Sequence, residues 1–125
     1  MGGDLGLHAT IPAVVTLLRT SPSLRVIVVG DKNKIEGQLQ SLTDTPSLLP
    51  TFQKDNRLEI QHASEVVGMD ESPSIALRTK KDSSLRVAIQ LVKDKRADGC
   101  VSAGNTGALM AISRFVLKTC ETIDR

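Results

Sequence analysis

The sequence is poor in aromatic residues. It has no tryptophan or tyrosine, and its only phenylalanines are Phe52 and Phe115. Proteins that bind single-stranded nucleic acid stack the bases on aromatic side chains, so this class of function is disfavoured. The formal net charge is only +2, and the charges are interspersed along the chain, which is too little for a DNA-binding surface. We therefore expect no nucleic-acid partner.

Cysteine and long apolar runs are scarce as well. Cys100 and Cys120 stand far apart without the spacing of a metal site, and Cys100 lies in an apolar run where we expect a buried, reduced thiol. No apolar run is long enough to cross a bilayer, and the N-terminus lacks the apolar segment of a signal peptide. These absences predict a cytoplasmic protein without a bound metal.

Short β-branched runs alternate with amphipathic segments along the chain. The former predict buried strands and the latter predict helices, with Ser83 or Ser84 as the cap of the best helix. Strands are predicted at 24–29, 58–63 and 97–101, helices at 11–20, 32–42, 83–95 and 108–119, and irregular segments at 43–50 and 64–74. This alternation predicts an α/β fold with a parallel sheet covered on both faces.

Both ends of the sequence suggest a part of a larger domain. Met1-Gly2-Gly3-Asp4 is typical of a turn, yet no strand precedes it, and the last predicted helix is followed only by a few residues ending in Ile123-Asp124-Arg125. We therefore expect this chain to be a fragment of a longer one.

The strongest local signal is the glycine-rich segment Ser102-Ala103-Gly104-Asn105-Thr106-Gly107, between a predicted strand and a predicted helix. Ligands of open α/β sheets bind beyond the carboxyl ends of the strands, and the N–H groups and dipole of a following helix favour an anion. Gly104 and Gly107 are expected to adopt positive φ and to let a ligand approach closely.

Phosphate is the ligand that this segment favours, with hydrogen bonds from Ser102, Asn105 and Thr106. There is no Walker-type Gly-Lys-Ser/Thr ending and no Gly-x-Gly-x-x-Gly dinucleotide fingerprint. The simpler interpretation, a strand-to-helix turn capped by Thr106 and without a ligand, stays open on these residues.

Weaker candidates for substrate binding lie elsewhere. Gly3 and Asp4 form a second close-approach turn, and His62 ends a predicted strand on the side where α/β sites form. Lys80, Ser83 and Ser84 place a positive charge before a helix start, which suits a phosphate or an acidic partner. A plain turn, a structural histidine and a solvated charge run are the competing interpretations.

Taken together, the motifs resemble the bacterial acyl-carrier-protein:phosphate acyltransferases of phospholipid synthesis. The segment 102–110 is similar to the hallmark of that family, and further similar motifs follow the same order along the whole chain. They are Met1-Gly2-Gly3-Asp4, Gly30-Asp31, His62-Ala63, Met69-Asp70-Glu71-Ser72-Pro73, Ala76-Leu77-Arg78, Lys81-Asp82-Ser83-Ser84 and Ile123-Asp124-Arg125.

The resemblance implies a three-layer α/β/α sandwich related to phosphotransacetylases and isocitrate-dehydrogenase-like enzymes. It implies transfer of a fatty acyl group from acyl carrier protein to inorganic phosphate, without a metal or organic cofactor. It also implies a homodimer that is soluble or peripheral to the membrane. Compared with the family, residues 1–125 are expected to form the N-terminal portion of a single α/β domain that lacks its first strand and its C-terminal half. Leu7 and Thr122 depart from the family pattern, where proline and glycine are usual, and put the local turn geometry in question.

In the mechanism that this resemblance implies, an oxygen of bound phosphate attacks the thioester carbonyl. Backbone N–H groups, Asn105 or Lys80 are the candidate donors to the oxyanion, and Thr106 joins them as a catalytic candidate. Two alternatives stay open: a phosphotransacetylase-like enzyme that uses acyl-coenzyme A, and a non-catalytic module that binds a phosphorylated ligand.

Overall fold

The computed structural model describes residues 3–42 and 49–119, and this part of the chain forms six helices and two strands. The helices are α1 (Gly6–Thr20), α2 (Lys32–Ser41), α3 (Leu49–Lys54), α4 (Pro73–Thr79), α5 (Ser84–Lys93) and α6 (Thr106–Leu117), and the strands are β1 (Val26–Gly30) and β2 (Leu58–His62). The predicted α/β class is therefore confirmed.

The two strands pair in parallel, with Val26 opposite Leu58 and Gly30 opposite His62. Helices α2 and α3 lie between them in the sequence, which supplies the long connection that parallel strands require. This parallel pair is compatible with the α/β/α sandwich that the resemblance implies. The carboxyl ends of both strands lie at the same edge of the sheet, next to Asp31 and Ala63.

The predicted strand at 97–101 is wrong for this structure. In the described part of the chain no segment pairs with these residues, and Val101 is fully exposed. A strand needs a partner for its backbone N–H and C=O groups, and a local apolar run does not provide one. Cys100 lies in the same segment and is exposed, so its expected burial is wrong as well.

The helix predictions are right in kind and differ at their ends. Helix α1 begins at Gly6 rather than Ile11, and α6 begins at Thr106 rather than Ala108. Helices α3 and α4 were not predicted, although Pro73 stands in the first turn of α4, where proline is favoured. Ser83 caps α5 as expected, with its hydroxyl oxygen accepting the Arg86 N–H.

Two separate hydrophobic cores hold the described residues together. The first lies where α1, α2 and α3 pack on the sheet, and the second lies among α4, α5 and α6. The first contains Ile11, Val14, Val15, Leu18, Val28, Ile35, Leu39, Phe52 and Leu58, and the second contains Val67, Ala76, Leu85, Ile89, Ala108, Ile112 and Val116. The glycine-rich segment 102–107 leads directly into α6 and thus into the second core.

Some predicted features lie outside the described residues. They are the 43–48 part of the predicted irregular segment, Cys120, Thr122 and the Ile123-Asp124-Arg125 motif. None of the described helices has the length and apolar character needed to cross a membrane.

Arg57 links the C-terminal end of α1 to Phe52 of α3, and its replacement should lower the stability of the fold. Its guanidinium donates to the carbonyl oxygens of Leu18 and Ser21, each at 2.7 Å, and lies 5.4 Å from the centre of the Phe52 ring. We expect Arg57→Ala to lower the free energy of unfolding by about 1–3 kcal/mol in urea denaturation. Arg25→Ala, at an exposed position, is the control, and equal effects of both substitutions would contradict this role.

Candidate functional site

Asn105 begins the candidate site by capping α6. Its side-chain Oδ1 accepts the N–H of Ala108 at 2.9 Å, and the residue is 9% exposed. Asparagine is among the preferred N-cap residues because its oxygen satisfies an N–H of the first turn. The cap is therefore Asn105, and not Thr106 as the simpler interpretation of the sequence expected. Thr106 is the exposed first residue of the helix.

The other end of the Asn105 amide reaches a distant turn. Its Nδ2 donates to the carbonyl oxygens of Gly68, Met69 and Glu71 at 3.1, 3.0 and 2.9 Å. We call these three carbonyl oxygens the carbonyl cradle. Because an amide nitrogen carries two hydrogens, at least one of them is shared between acceptors. Both ends of the side chain are thus committed to protein backbone.

Glu71 and Lys80 hold the turn that forms the cradle. The Glu71 carboxylate accepts the Gly68 N–H at 3.1 Å and the Lys80 ammonium at 2.6 Å, and the same ammonium donates to the Val66 carbonyl at 2.6 Å. The hydrogen bond from Lys80 lowers the pKa of Glu71, with partial burial opposing the shift and the Gly68 N–H adding to it. Lys80, a predicted oxyanion donor, is engaged in this pair.

The two predicted glycine turns come together in the structure. Gly3 has a φ of +93°, and a Cβ there would lie 2.8 Å from the carbonyl oxygen of Ala103. A Cβ at Gly107 would lie 2.8 Å from Cγ of Pro73 in α4. Neither Gly104 nor Gly107 has a positive φ, so that expectation is wrong. Gly107 is needed for close packing instead.

Two N–H groups at the start of α6 remain available to a ligand. Among the described residues, no protein acceptor takes the peptide N–H of Thr106 or of Gly107, and the Thr106 hydroxyl has no hydrogen-bond partner. By contrast, the Leu109 N–H is taken by the Asn105 carbonyl. Free N–H groups at the positive end of a helix dipole favour an anion.

The remaining side chains of the segment and of the Gly3 turn are on the surface. Ser102 is exposed, and its hydroxyl oxygen accepts the Gly104 N–H at 3.1 Å, which shapes the turn. Asp4 is exposed next to Gly3. The predicted phosphate-binding residues therefore lie together, but the Ser102 and Asn105 side chains chiefly hold backbone.

Ser83, Ser84 and His62 have local partners of their own. Ser83 is fully buried and donates to the Lys80 carbonyl at 2.9 Å, while the Ser84 N–H donates to the Glu65 carbonyl at 2.9 Å. His62 Nδ1 accepts the Lys32 N–H at 3.3 Å. No hydrogen bond among the described residues joins any of the three directly to the 102–107 segment, and their part in substrate binding stays a prediction.

The residues that sequence reasoning missed are those of the turn from Gly68 to Glu71. The motif Met69-Asp70-Glu71-Ser72-Pro73 lies in the segment predicted to be irregular, and no local signal shows which distant side chain it receives. No group of metal-binding side chains occurs in residues 3–42 and 49–119. The donors that the site offers to an anion are uncharged: the N–H groups of Thr106 and Gly107 and the Thr106 hydroxyl.

The packing of Gly107 against Pro73 gives a stability test with an internal control. We expect Gly107→Ala to lower the free energy of unfolding by about 1–3 kcal/mol, because the added methyl group overlaps the proline ring. Gly37→Ala, in the middle of α2 with open space around it, should raise that free energy by about 0.5–1 kcal/mol. If Gly107 served only as a flexible hinge, Gly107→Ala would raise the free energy of unfolding, as Gly37→Ala is expected to do.

The pair of Glu71 and Lys80 should make the cradle sensitive to acid. Because the pKa of Glu71 is lower in the folded chain than in the unfolded chain, its stabilisation is complete above the unfolded value and is lost as pH falls through the folded value. A carbon-13 titration should place the Glu71 pKa below that of ordinary glutamate. The same titration of Lys80→Met should show the Glu71 pKa moved upward, and an unchanged value would contradict the pair.

Comparison with known proteins agrees with the sequence motifs. A family model described as "Fatty acid synthesis protein" matches residues 1–125. Proteins named phosphate acyltransferase from three subspecies of Francisella tularensis, namely tularensis (strain WY96-3418), holarctica (strain LVS) and novicida (strain U112), are each 56% identical over 126 residues, covering 100% of this chain and 35% of each relative. The chain thus spans about a third of the length of these relatives, and it belongs to the fatty acid synthesis protein family.

Proposed function

We propose that this chain supplies the phosphate-binding segment of an enzyme that transfers a fatty acyl group to inorganic phosphate. The donor is acyl-acyl carrier protein, and the acyl phosphate product feeds phospholipid synthesis. The observation that carries the proposal is the pair of free N–H groups at Thr106 and Gly107, with the free Thr106 hydroxyl beside them. The relatives named phosphate acyltransferase support the same chemistry.

The proposed reaction is a single acyl transfer. A phosphate oxygen attacks the carbonyl carbon of the thioester, a carbon–oxygen bond forms, and the carbon–sulfur bond breaks. The electron pair leaves with sulfur, and the carrier thiol is restored by a proton from the solvent. Phosphate already carries anionic oxygens at neutral pH, so positioning and stabilisation of the tetrahedral oxyanion supply the acceleration.

The structure favours backbone donors over the charged candidate. Lys80 is engaged by Glu71 and by the Val66 carbonyl, and the Asn105 amide is engaged by the cradle and by Ala108. In this proposal Asn105 holds the site, the Thr106 and Gly107 N–H groups bind phosphate, and the Thr106 hydroxyl adds a hydrogen bond. The homodimer, the cytoplasmic location and the peripheral contact with a membrane stay predictions.

Thr106→Pro is the sharpest test of this placement. Proline is favoured at the first position of a helix, and it removes both the N–H and the hydroxyl of residue 106. The preceding Asn105 has an extended ψ of 107°, which a following proline requires. We therefore expect α6 to remain folded while phosphate binding weakens by about 10- to 100-fold, the loss expected for charge-assisted hydrogen bonds.

The measurement is a phosphate titration followed by nitrogen-15 spectra, with sulfate and chloride at matched ionic strength. The amides of Gly107 and Ala108 should shift in the unsubstituted chain, and Thr16→Ala, at an exposed threonine of α1, should leave the affinity unchanged. A chain whose α6 amides ignore phosphate, or a Thr106→Pro variant that binds normally, would refute the proposed site. Assays of the longer enzyme with acyl carrier protein and with coenzyme A thioesters then distinguish the donors.

A further inference from the structure

The Glu71 and Lys80 pair is linked to the start of α6 through the carbonyl cradle and the Asn105 amide. We propose that Glu71, held by Lys80, is a positioning residue that acts through the carbonyl cradle and Asn105 on the phosphate-binding start of α6. This inference rests on the proposed function. It differs from the role predicted for Lys80, because the pair acts through Asn105 and not as a donor to the oxyanion.

The turn from Gly68 to Glu71 is closed by two hydrogen bonds. The Glu71 N–H donates to the Gly68 carbonyl at 3.2 Å, and the Gly68 N–H donates to the Glu71 carboxylate at 3.1 Å. Residues 68 and 71 are thus joined in both directions, by backbone on one side and by side chain on the other. The carboxylate fixes the orientation of the carbonyl groups that receive Asn105.

The Glu71 carboxylate is itself anchored by Lys80. Lys80 donates to Glu71 and to the Val66 carbonyl, both at 2.6 Å, so one ammonium bridges the turn and the segment that enters it. The Lys80 carbonyl accepts the hydroxyl of buried Ser83, which caps α5. The cradle is therefore fixed relative to the start of α5 as well as to the start of α6.

Asn105 requires a particular geometry of the carbonyl cradle. Its amide nitrogen serves three carbonyl oxygens with two hydrogens, so the three oxygens must stay converged for all of them to be satisfied. If the cradle opens, the Asn105 amide is free to turn, and its Oδ1 no longer holds the Ala108 N–H. The N–H groups of Thr106 and Gly107 then lose their fixed direction.

The Lys80 ammonium, the alternative ligand-binding group, is already engaged by Glu71. Its side chain is only 29% exposed, and that of Glu71 is 19% exposed. A half-buried pair with additional hydrogen bonds resists separation, because releasing either member leaves the other charge poorly solvated. The structure thus assigns the ammonium to the cradle rather than to a reacting thioester.

The test compares Glu71→Gln with Glu59→Gln in the same chain. Glutamine keeps the shape and an acceptor for Gly68 but removes the charge that holds Lys80. Glu59 lies on β2 and forms an ion pair with Arg96. Glu59→Gln is the matched control, because the same charge is lost away from the cradle. Lys80→Arg is the conservative variant, which keeps the charge and donors for both acceptors.

Two readouts are needed: the side-chain NH2 resonances of Asn105 and the dissociation constant for inorganic phosphate. We expect Glu71→Gln to shift and broaden the Asn105 signals, to speed hydrogen exchange of the Ala108 N–H, and to weaken phosphate binding by about three- to tenfold. Lys80→Arg should retain most of the affinity, and Glu59→Gln should match the unsubstituted chain in both readouts.

Unchanged Asn105 signals and phosphate affinity in Glu71→Gln would overturn the inference, as would an equal effect of Glu59→Gln. If phosphate fails to bind the unsubstituted chain, the proposed function fails, yet the Asn105 signals still decide whether Glu71 positions the turn. If Glu71→Gln does not fold, Lys80→Arg and Lys80→Met decide instead, since the inference requires the first to preserve the Asn105 signals and the second to disturb them.

Discussion

The Asn105 side-chain amide is the interaction on which the candidate site depends. It is a buried polar group, and a buried amide without partners costs the full desolvation of its donors and acceptors. The structure satisfies both ends of the amide: Nδ2 donates to the carbonyl cradle, and Oδ1 accepts the Ala108 N–H. One side chain thus sets where α6 starts and which of its N–H groups stay free.

This arrangement divides the polar residues into two groups with separate tasks. The side chains of Ser102, Asn105 and Lys80 hold backbone groups in place, and the peptide N–H groups of Thr106 and Gly107 have no acceptor among the described residues. Fixed backbone dipoles need no reorganisation when charge appears on a ligand, so they stabilise it effectively. A glycine-rich segment with small polar side chains is therefore suited to shaping a site as much as to touching its ligand.

Sequence reasoning predicted the features that depend on neighbouring residues. The parallel α/β class, the Ser83 cap and the helix after Asn105 follow from local apolar spacing and cap chemistry. It failed at 97–101, where pairing with another segment decides whether a strand forms. It also treated Asn105 as a ligand donor, because the partners of its amide lie between 34 and 37 residues earlier and leave no local signal.

The pairing of Lys80 with Glu71 bears on the proposed chemistry. In the proposed site the donors to phosphate are peptide N–H groups and a hydroxyl rather than the Lys80 ammonium. A cation bound directly to phosphate withdraws charge from the oxygen that must attack, and tight binding of the ground state does not by itself speed the reaction. Uncharged donors on a rigid turn can orient phosphate while leaving its nucleophilic oxygen reactive. The constraint on Lys80 is thus consistent with a phosphate that acts as the nucleophile.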